Sequence, residues 1–517
     1  MRNVKAGARI LAAIVLACCL ARPGMAAGTS RLWATDCLTK VFRSAAPPED
    51  AGGPVVISGA QGEIASGQAV FVTGTALDAA TVSVSDLQRR DGAETLPASG
   101  VALQWVRYID VSRNTSGIPE DELVVKAPAS IPDPYWEGDT IAVKAHEAQP
   151  IWIEVRIPRD AKPGDYEATL TVRGGAEPVT LPMLVHVWAF AIPEERHVSV
   201  VNWWRFPHGF AVEPYSEAYW DLLAQSCAFL MEHRQTDVSI GMSLIEEHGD
   251  AGQGCTYDTG RLERYAEVCF GAGIRQIQVH SVGKRTGSWS DTTSAVVPVE
   301  AQFRRLAALE EVVQRRGWQG RFAVNIADEP FIQHEESYAA VVDQVHETAP
   351  SVRCIEAVEG EYFGKLDIYV PKLSHLNLWQ PAFDRAKELG SEVWFYTCCH
   401  PVGRYPNRFL DQSLLKVRVL HWINYLYDLD GYLHWALDGF DPKDPYTEES
   451  TSAKLPLGDR TVTYPGTKGL LGSLRYSAQR DGLEDFEYLW VLEDRLGAIK
   501  EQVGEEAFWL DPRQRPL

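Results

Sequence analysis

Phe322-Ala323-Val324-Asn325-Ile326-Ala327-Asp328-Glu329-Pro330 is an apolar run of small and β-branched residues that stops in two adjacent carboxylates and a proline. A run of this length without polar alternation fits a strand covered on both faces, the inner parallel strand of an α/β protein. In barrels of that kind the active site gathers at the carboxyl ends of the strands. Two ionisable groups at such an end are a candidate acid/base site. Acidic residues before a proline also suit a helix cap or a strand-to-helix turn, so the motif alone leaves both roles open.

Outward from this strand the chain alternates apolar runs with amphipathic stretches. The spacing predicts strands over 198–204, 237–240, 274–282, 321–327, 352–358, 366–370, 392–396 and 431–436. Helices are expected over 218–233, 262–270, 302–316, 336–348, 383–389 and 414–426, with a last one over 483–499. Eightfold β/α alternation of this length predicts a TIM-type (β/α)8 barrel over 193–505, with Asp328 and Glu329 closing its fourth strand. The apolar positions of the last helix are expected to seal the barrel, leaving Glu484, Asp485 and Glu487 on a solvated face.

Before Pro193 the rhythm differs. Short β-branched runs (70–72, 81–84, 151–157, 168–172, 181–188) are broken by Gly, Pro and Asp turns such as Asp160 to Asp165. That pattern predicts an antiparallel β-sandwich over 28–192. Residues 1–27 combine basic Arg2, Lys5 and Arg9, an apolar stretch too short to span a bilayer, and small residues after Pro23 and Gly24. This is the layout of a secretory leader, so export is expected, to periplasm, exterior or cell surface. Cys18 and Cys19 offer a lipid anchor as the other way the leader could end, and residues 506–517 read as a tail.

Loss of Arg2, Lys5, Arg9 and Arg22 with the leader takes the net charge from −21 to −25. Such a surface repels phosphate backbones and argues against a nucleic-acid partner. Seven cysteines then remain, too few and too scattered for a disulfide framework. Adjacent Cys398 and Cys399 before His400 lack the spacing and the second pair of a tetrahedral metal site. The sequence contains no nucleophile elbow and no phosphate-cradling glycine loop. No metal or cofactor is implied, and after the leader no further apolar run is long enough to cross a membrane.

Glycosidases with two enzymic carboxylates hold them about 5 to 5.5 Å apart when retaining and about 6.5 to 9.5 Å apart when inverting. Many barrel glycosidases set the second on strand seven, but here that strand reads Val393-Trp394-Phe395-Tyr396-Thr397-Cys398. Adjacent Asp328 and Glu329 suggest substrate assistance instead: the 2-acetamido oxygen of the sugar attacks the anomeric carbon, Asp328 orients the amide N–H, and Glu329 protonates the leaving oxygen. A negative Asp328 beside it favours a retained proton on Glu329. Asp438 or Asp441, after strand eight, is the alternative partner if the sugar carries no acetamido group.

At this point the chain resembles glycoside hydrolase family 123. The resemblance lies in Ala327-Asp328-Glu329-Pro330, in the stretch from Trp394 to Pro401 with Tyr405-Pro406-Asn407, and in Gly431-Tyr432-Leu433-His434-Trp435-Ala436. It continues in Tyr464-Pro465-Gly466, in the run from Arg480 to Leu489, and in Gln149-Pro150-Ile151-Trp152 and Pro163-Gly164-Asp165-Tyr166 of the amino-terminal region. It implies a β-sandwich before a catalytic barrel, and β-N-acetylgalactosaminidase activity on an oligosaccharide or glycoconjugate. It further implies that Asp328 supports an oxazolinium intermediate and that Glu329 is the general acid/base. The segment from Gly458 to Thr463 departs from the glycine-rich form associated with the family. A non-catalytic carbohydrate-binding protein is the other class of reading, and intact Asp328 and Glu329 argue against it.

Further candidates for the sugar site are aromatic or hydrogen-bonding residues near strand ends. Tyr396 and Trp435 suit walls around an acetamido group, Trp379 a platform, and Trp204 with Arg205 the end of strand one; core packing or an ion pair are the competing roles. His400 and Asn407 follow strand seven, where they suit either ring hydroxyls or ordinary loop bonding.

Overall fold

The computed structural model describes residues 28–49, 51–249, 254–288, 290–361 and 365–504. The leader, with Cys18 and Cys19, and the 506–517 tail lie outside the described residues. No helix among the described residues is long and apolar enough to cross a membrane.

The amino-terminal part is two packed sheets. One has five strands in the order Ser30–Thr35, Ile64–Thr73, Gln149–Arg156, Val101–Val111, Ala129–Tyr135; the other has seven, centred on Val179–Ala191 and Gly164–Arg173. Leu32, Phe71, Trp105, Ile151 and Ile153 of the first meet Tyr166, Leu170, Met183 and Val185 of the second in one core. The strand Gln149–Arg156 is buried almost throughout instead of alternating. Its second face is also covered, because Val106, Tyr135 and Trp152 pack on Leu414, Val417, Leu474 and Ala478 of the following domain.

The second part is the expected barrel. Eight parallel strands run Ser199–Asn202, Asp237–Ile240, Gln276–Val279, Phe322–Val324, Arg353–Val358, Ile368–Pro371, Glu392–Thr397 and Gly431–His434; from the second onward each is paired with the next, and the eighth with the first. The first and second meet at a looser seam. There the Thr236 N–H donates to the Val200 carbonyl (3.1 Å), and the Val200 N–H donates to Thr236 Oγ1 (2.8 Å). Period-two alternation decides which side chains fill the barrel: Val201, Ala323, Ile355, Ala357, Val370, Trp394, Tyr396 and Leu433 point inward.

Two helical expectations change. The stretch over 414–426 is two short helices, Leu414–Arg418 and Leu420–Leu426. The last helix is far longer than expected, Leu474–Val503, and its first half lies between barrel and sandwich. Glu484 and Glu487 are therefore buried and not solvated. Glu484 accepts from the Ile64 N–H of the sandwich (3.2 Å), Glu487 pairs with Arg234 (2.8 Å), and Asp485 pairs with Arg418 (2.7 Å). A helix wedged between two domains has no solvent side, so its carboxylates must find cationic or N–H partners.

Candidate active site

The fourth strand ends because its neighbours capture its backbone. Asn325 still bonds the third strand, its N–H donating to the Val279 carbonyl (3.0 Å). The next two N–H groups, of Ile326 and Ala327, instead donate to one carboxylate oxygen of Glu356 on the fifth strand (3.0 and 2.8 Å), which Tyr338 also reaches (3.3 Å). Burial, and then the charge of Asp328, push the Glu356 carboxyl up to about 8.

Past this anchor the backbone turns sharply. Asp328 and Glu329 both adopt the left-handed region, with φ of 50° and 46°. Each such non-glycine residue costs on the order of 1 kcal/mol or more and persists where surrounding structure enforces it. Arg285, on the hairpin strand Gly283–Arg285 after strand three, donates from one guanidinium nitrogen to the carbonyls of both Asp328 and Glu329. The Gly283 N–H bonds the Ile326 carbonyl (2.8 Å), which fixes that hairpin against the strand end. Neither carboxylate caps a helix, since the 3-10 turn Ile332–His334 is capped at Phe331 and the helix Glu335–Thr348 at His334. The cap alternative is thereby removed.

The side chains at this end form a connected cluster. Asp328 is open to solvent, yet it stands among protein atoms on several sides; that crowding, then the Glu329 charge, push its carboxyl up to about 6. Glu329 accepts a short hydrogen bond from the hydroxyl of Tyr396, which the seventh strand brings in almost fully buried. The same hydroxyl lies 3.2 Å from an oxygen of Glu359, just past the fifth strand. Glu359 meets the ammonium of Lys372, and its second oxygen lies 2.9 Å from His375 Nδ1. Burial raises the Glu359 carboxyl, but His375 and Lys372 outweigh it and hold the group down at about 2. Trp379 caps the helix Gln380–Glu388 with its ring 4.9 Å from that of His375, so it joins this cluster.

The remaining candidates part company. Trp435 is half-buried, its indole N–H donating to Asp459 (3.0 Å), so the altered segment from Gly458 to Thr463 supplies the residue that orients it. Trp204 does not join the mouth. It faces the helical layer, 6% exposed, with its indole N–H on the Ser239 carbonyl (3.0 Å). By alternation Trp203 is the inward member of that pair, with its ring 4.4 Å from His280. Arg205 is exposed, and only its backbone N–H reaches Asp438 (3.0 Å), a buried carboxylate that burial pushes up to about 6. Asn407 is fully buried. Its amide donates to the carbonyls of Cys398 (3.0 Å) and Pro401 (3.1 Å), so it shapes the loop and has no free N–H for a sugar. His400 is exposed on that same loop.

Sequence reasoning missed Glu356, Glu359, Lys372 and Arg285. For Glu359 a signal was present: the strand-like run 352–358, apolar apart from Arg353 and Glu356, also stops in a carboxylate, as 322–327 does. Two groups among the described residues could share a metal ion, His346–Cys354–Asp367 and Glu246–His248–Asp258, with ligand atoms within 4.8 Å of one another. The first sits at the opposite, amino-terminal end of strands five and six and the second on an exposed hairpin after strand two, so neither belongs to the acid cluster.

A barrel that collects carboxylates at the ends of strands four and five, beside a buried tyrosine and half-buried tryptophans, has the layout of a glycosidase-type active site. The model of the glycoside hydrolase 123 catalytic domain matches residues 198–492, and that of the glycoside hydrolase 123 N-terminal domain matches residues 43–174. The chain belongs to glycoside hydrolase family 123, a family of enzymes that act on glycans. A family 123 glycoside hydrolase from Clostridium perfringens, described for glycolipid glycan hydrolysis, is similar in fold: TM-score 0.73 at 14% identity, covering 93% of this chain and 92% of that one. A GH10 xylanase with a bacterial Ig-like domain from termite gut matches at TM-score 0.32 and 10% identity, covering 65% of this chain and 90% of that one. Parabacteroides merdae β-glucuronidase matches at TM-score 0.32 and 10% identity, covering 83% and 51%. No curated protein matches the chain.

Proposed function

We propose that this glycoside hydrolase is an exported, exo-acting β-N-acetylgalactosaminidase that works with retention through substrate assistance. The observation that carries this reading is the adjacency of Asp328 and Glu329 on a turn that Arg285 and Glu356 hold in a strained conformation. In it the acetamido oxygen closes on the anomeric carbon as Glu329 gives its proton to the leaving oxygen, while ionised Asp328 accepts the amide N–H and supports the oxazolinium ion. Glu329 then takes a proton from the water that opens the ring. Tyr396, Trp435 and Trp379 are the candidates for contact with the sugar and its acetamido group, with Arg205 and His400 as exposed neighbours of the outer glycan.

A second reading rests on Glu359. Because Tyr396 touches both Glu329 and Glu359, the facing oxygens of those two groups are no more than about 6 Å apart, a bound that is compatible with the about 5 to 5.5 Å of a two-carboxylate retaining enzyme. The ion pairs to Lys372 and His375 weigh against a nucleophilic role, since they stabilise the anion that would attack. Hydrolysis of aryl β-GalNAc, β-GlcNAc and β-galactoside by the wild type, Glu329→Gln and Asp328→Asn separates the two. Substrate assistance requires acetamido sugars only, loss of activity in Glu329→Gln and a severe loss in Asp328→Asn. Cleavage of the galactoside, with Asp328→Asn still active, would instead select the two-carboxylate mechanism.

A further inference from the structure

The Tyr396 hydroxyl stands between two carboxylates but owns one hydrogen. A phenol can donate one hydrogen bond and accept another. Glu359 is held as an anion by Lys372 and His375, so it can only accept. What Tyr396 does therefore depends on Glu329. When Glu329 is ionised, the Tyr396 hydrogen turns to it, and Glu359 keeps Lys372 and His375 as its partners. When Glu329 is protonated, its own O–H donates to the phenolic oxygen and the Tyr396 hydrogen turns to Glu359. Every donor and acceptor is then satisfied in a chain from Glu329 through Tyr396 to Glu359.

Building on the assignment of Glu329 as the acid/base, we infer that Tyr396 is a hydrogen-bond switch between Glu329 and Glu359, and that Glu359 is a positioning residue that helps retain the acid proton on Glu329. As Glu329 gives its proton to the leaving oxygen, the Tyr396 O–H rotates from Glu359 onto the new Glu329 anion. No other proton moves, and the hydroxyl stays hydrogen-bonded throughout. Burial suits Tyr396 to this task, since water does not compete for its hydrogen at 2% exposure. The charged and titratable groups facing this chain are Asp328 on the same turn, Glu359, Lys372 and His375 beyond strands five and six, and Cys398 and Cys399 beyond strand seven. Arg285 meets the turn through its carbonyls.

The two partners give opposite signs. Tyr396→Phe removes the donor that an ionised Glu329 needs, so the alkaline limb of kcat/KM moves to higher pH. Glu359→Gln removes a negative charge beside Glu329, so the same limb moves to lower pH. Each displacement is expected at about one pH unit, a tenfold change in proton affinity. The full-length protein labelled with 13C at glutamate carboxyls gives the substrate-free readout. The signal lost in Glu329→Gln is followed by titration in the wild type, Tyr396→Phe and Glu359→Gln. Displacements of opposite sign support the switch. Coincident titrations, or a raised KM in Tyr396→Phe with an unmoved pH profile, overturn it and leave Tyr396 a sugar contact. Should Glu359→Gln fail to fold, Lys372→Met is the substitute and is judged against the wild type alone: it removes the cation facing both carboxylates, so the limb must move to higher pH, and a limb unmoved from the wild type overturns the proposal. Absence of turnover in the wild type on every acetamido substrate would count against the proposed activity, while the carboxyl titrations would still decide the switch.

Discussion

Glu356→Gln tests the reasoning about the strand end most directly. One oxygen of Glu356 takes all three of its donors, the N–H groups of Ile326 and Ala327 and the hydroxyl of Tyr338, while the other oxygen has no hydrogen-bond partner. A glutamine can therefore keep the three bonds with its carbonyl oxygen and place its NH2 where a protonated glutamate would place its O–H. The carboxyl is raised from 4.5 to about 8 in the folded protein, chiefly by burial and then by Asp328. Between those values the folded state keeps a proton that the unfolded chain has released. Wild-type stability from this group is thus fully present below about pH 4.5 and lost as pH rises towards 8. The slope is about 1.4 kcal/mol per pH unit, and the whole loss about 5 kcal/mol as an upper figure. Glutamine has no such loss. Urea unfolding of both proteins from pH 4.5 to 8.5, followed by tryptophan fluorescence, should show near-equal stability at the acid end and a widening advantage for Glu356→Gln towards pH 8. A gap that stays constant or closes with rising pH would refute the claim that this carboxyl is held protonated in the fold.

Other outcomes follow from the same geometry. Ionised Asp328 is the form that accepts the amide N–H, and its carboxyl is raised to about 6, so kcat/KM on aryl β-GalNAc should fall about tenfold per unit as pH drops below 6; a profile flat to pH 5 would contradict it. Arg285→Met should lower kcat by about 10²-fold with little change in fold by circular dichroism, because the strained turn loses the donor shared by its two carbonyls. Asp133→Asn should destabilise by about 3 to 5 kcal/mol in urea unfolding, since it leaves Arg475 charged between sandwich and barrel, where both side chains are wholly buried. Gly482→Ala should also destabilise, by about 1 to 3 kcal/mol, because a Cβ there would lie 2.2 Å from the Arg418 carbonyl oxygen and push two packed helices apart.

Much of this protein can be read from local pattern. Eight apolar runs separated by amphipathic stretches determine a parallel barrel, because only strands covered on both faces are apolar without alternation. The run 322–327 ending in Asp328 and Glu329 places the acid pair on strand four for the same reason. Local pattern also carries the two-sheet sandwich, through its short runs and turn residues. What it could not supply is which residues meet across strands. Glu356, Glu359, Lys372 and Tyr396 come from three different strands or their ends, and nothing in their separate spacings says that one hydroxyl will stand between two carboxylates. Alternation along the first strand turned Trp204 to the helices and Trp203 to the barrel, a choice fixed by register and not by composition. The carboxylates of the last helix read as solvated because a lone helix has a wet side; docking of the sandwich removed that side and made Glu484 and Glu487 buried partners. Sequence by itself determined the eight barrel strands and the place of Asp328 and Glu329 at the end of the fourth, since these follow from burial periodicity within short segments. Only tertiary structure decided the charge environment of that pair, because it is set by side chains brought within a few ångströms from distant parts of the chain.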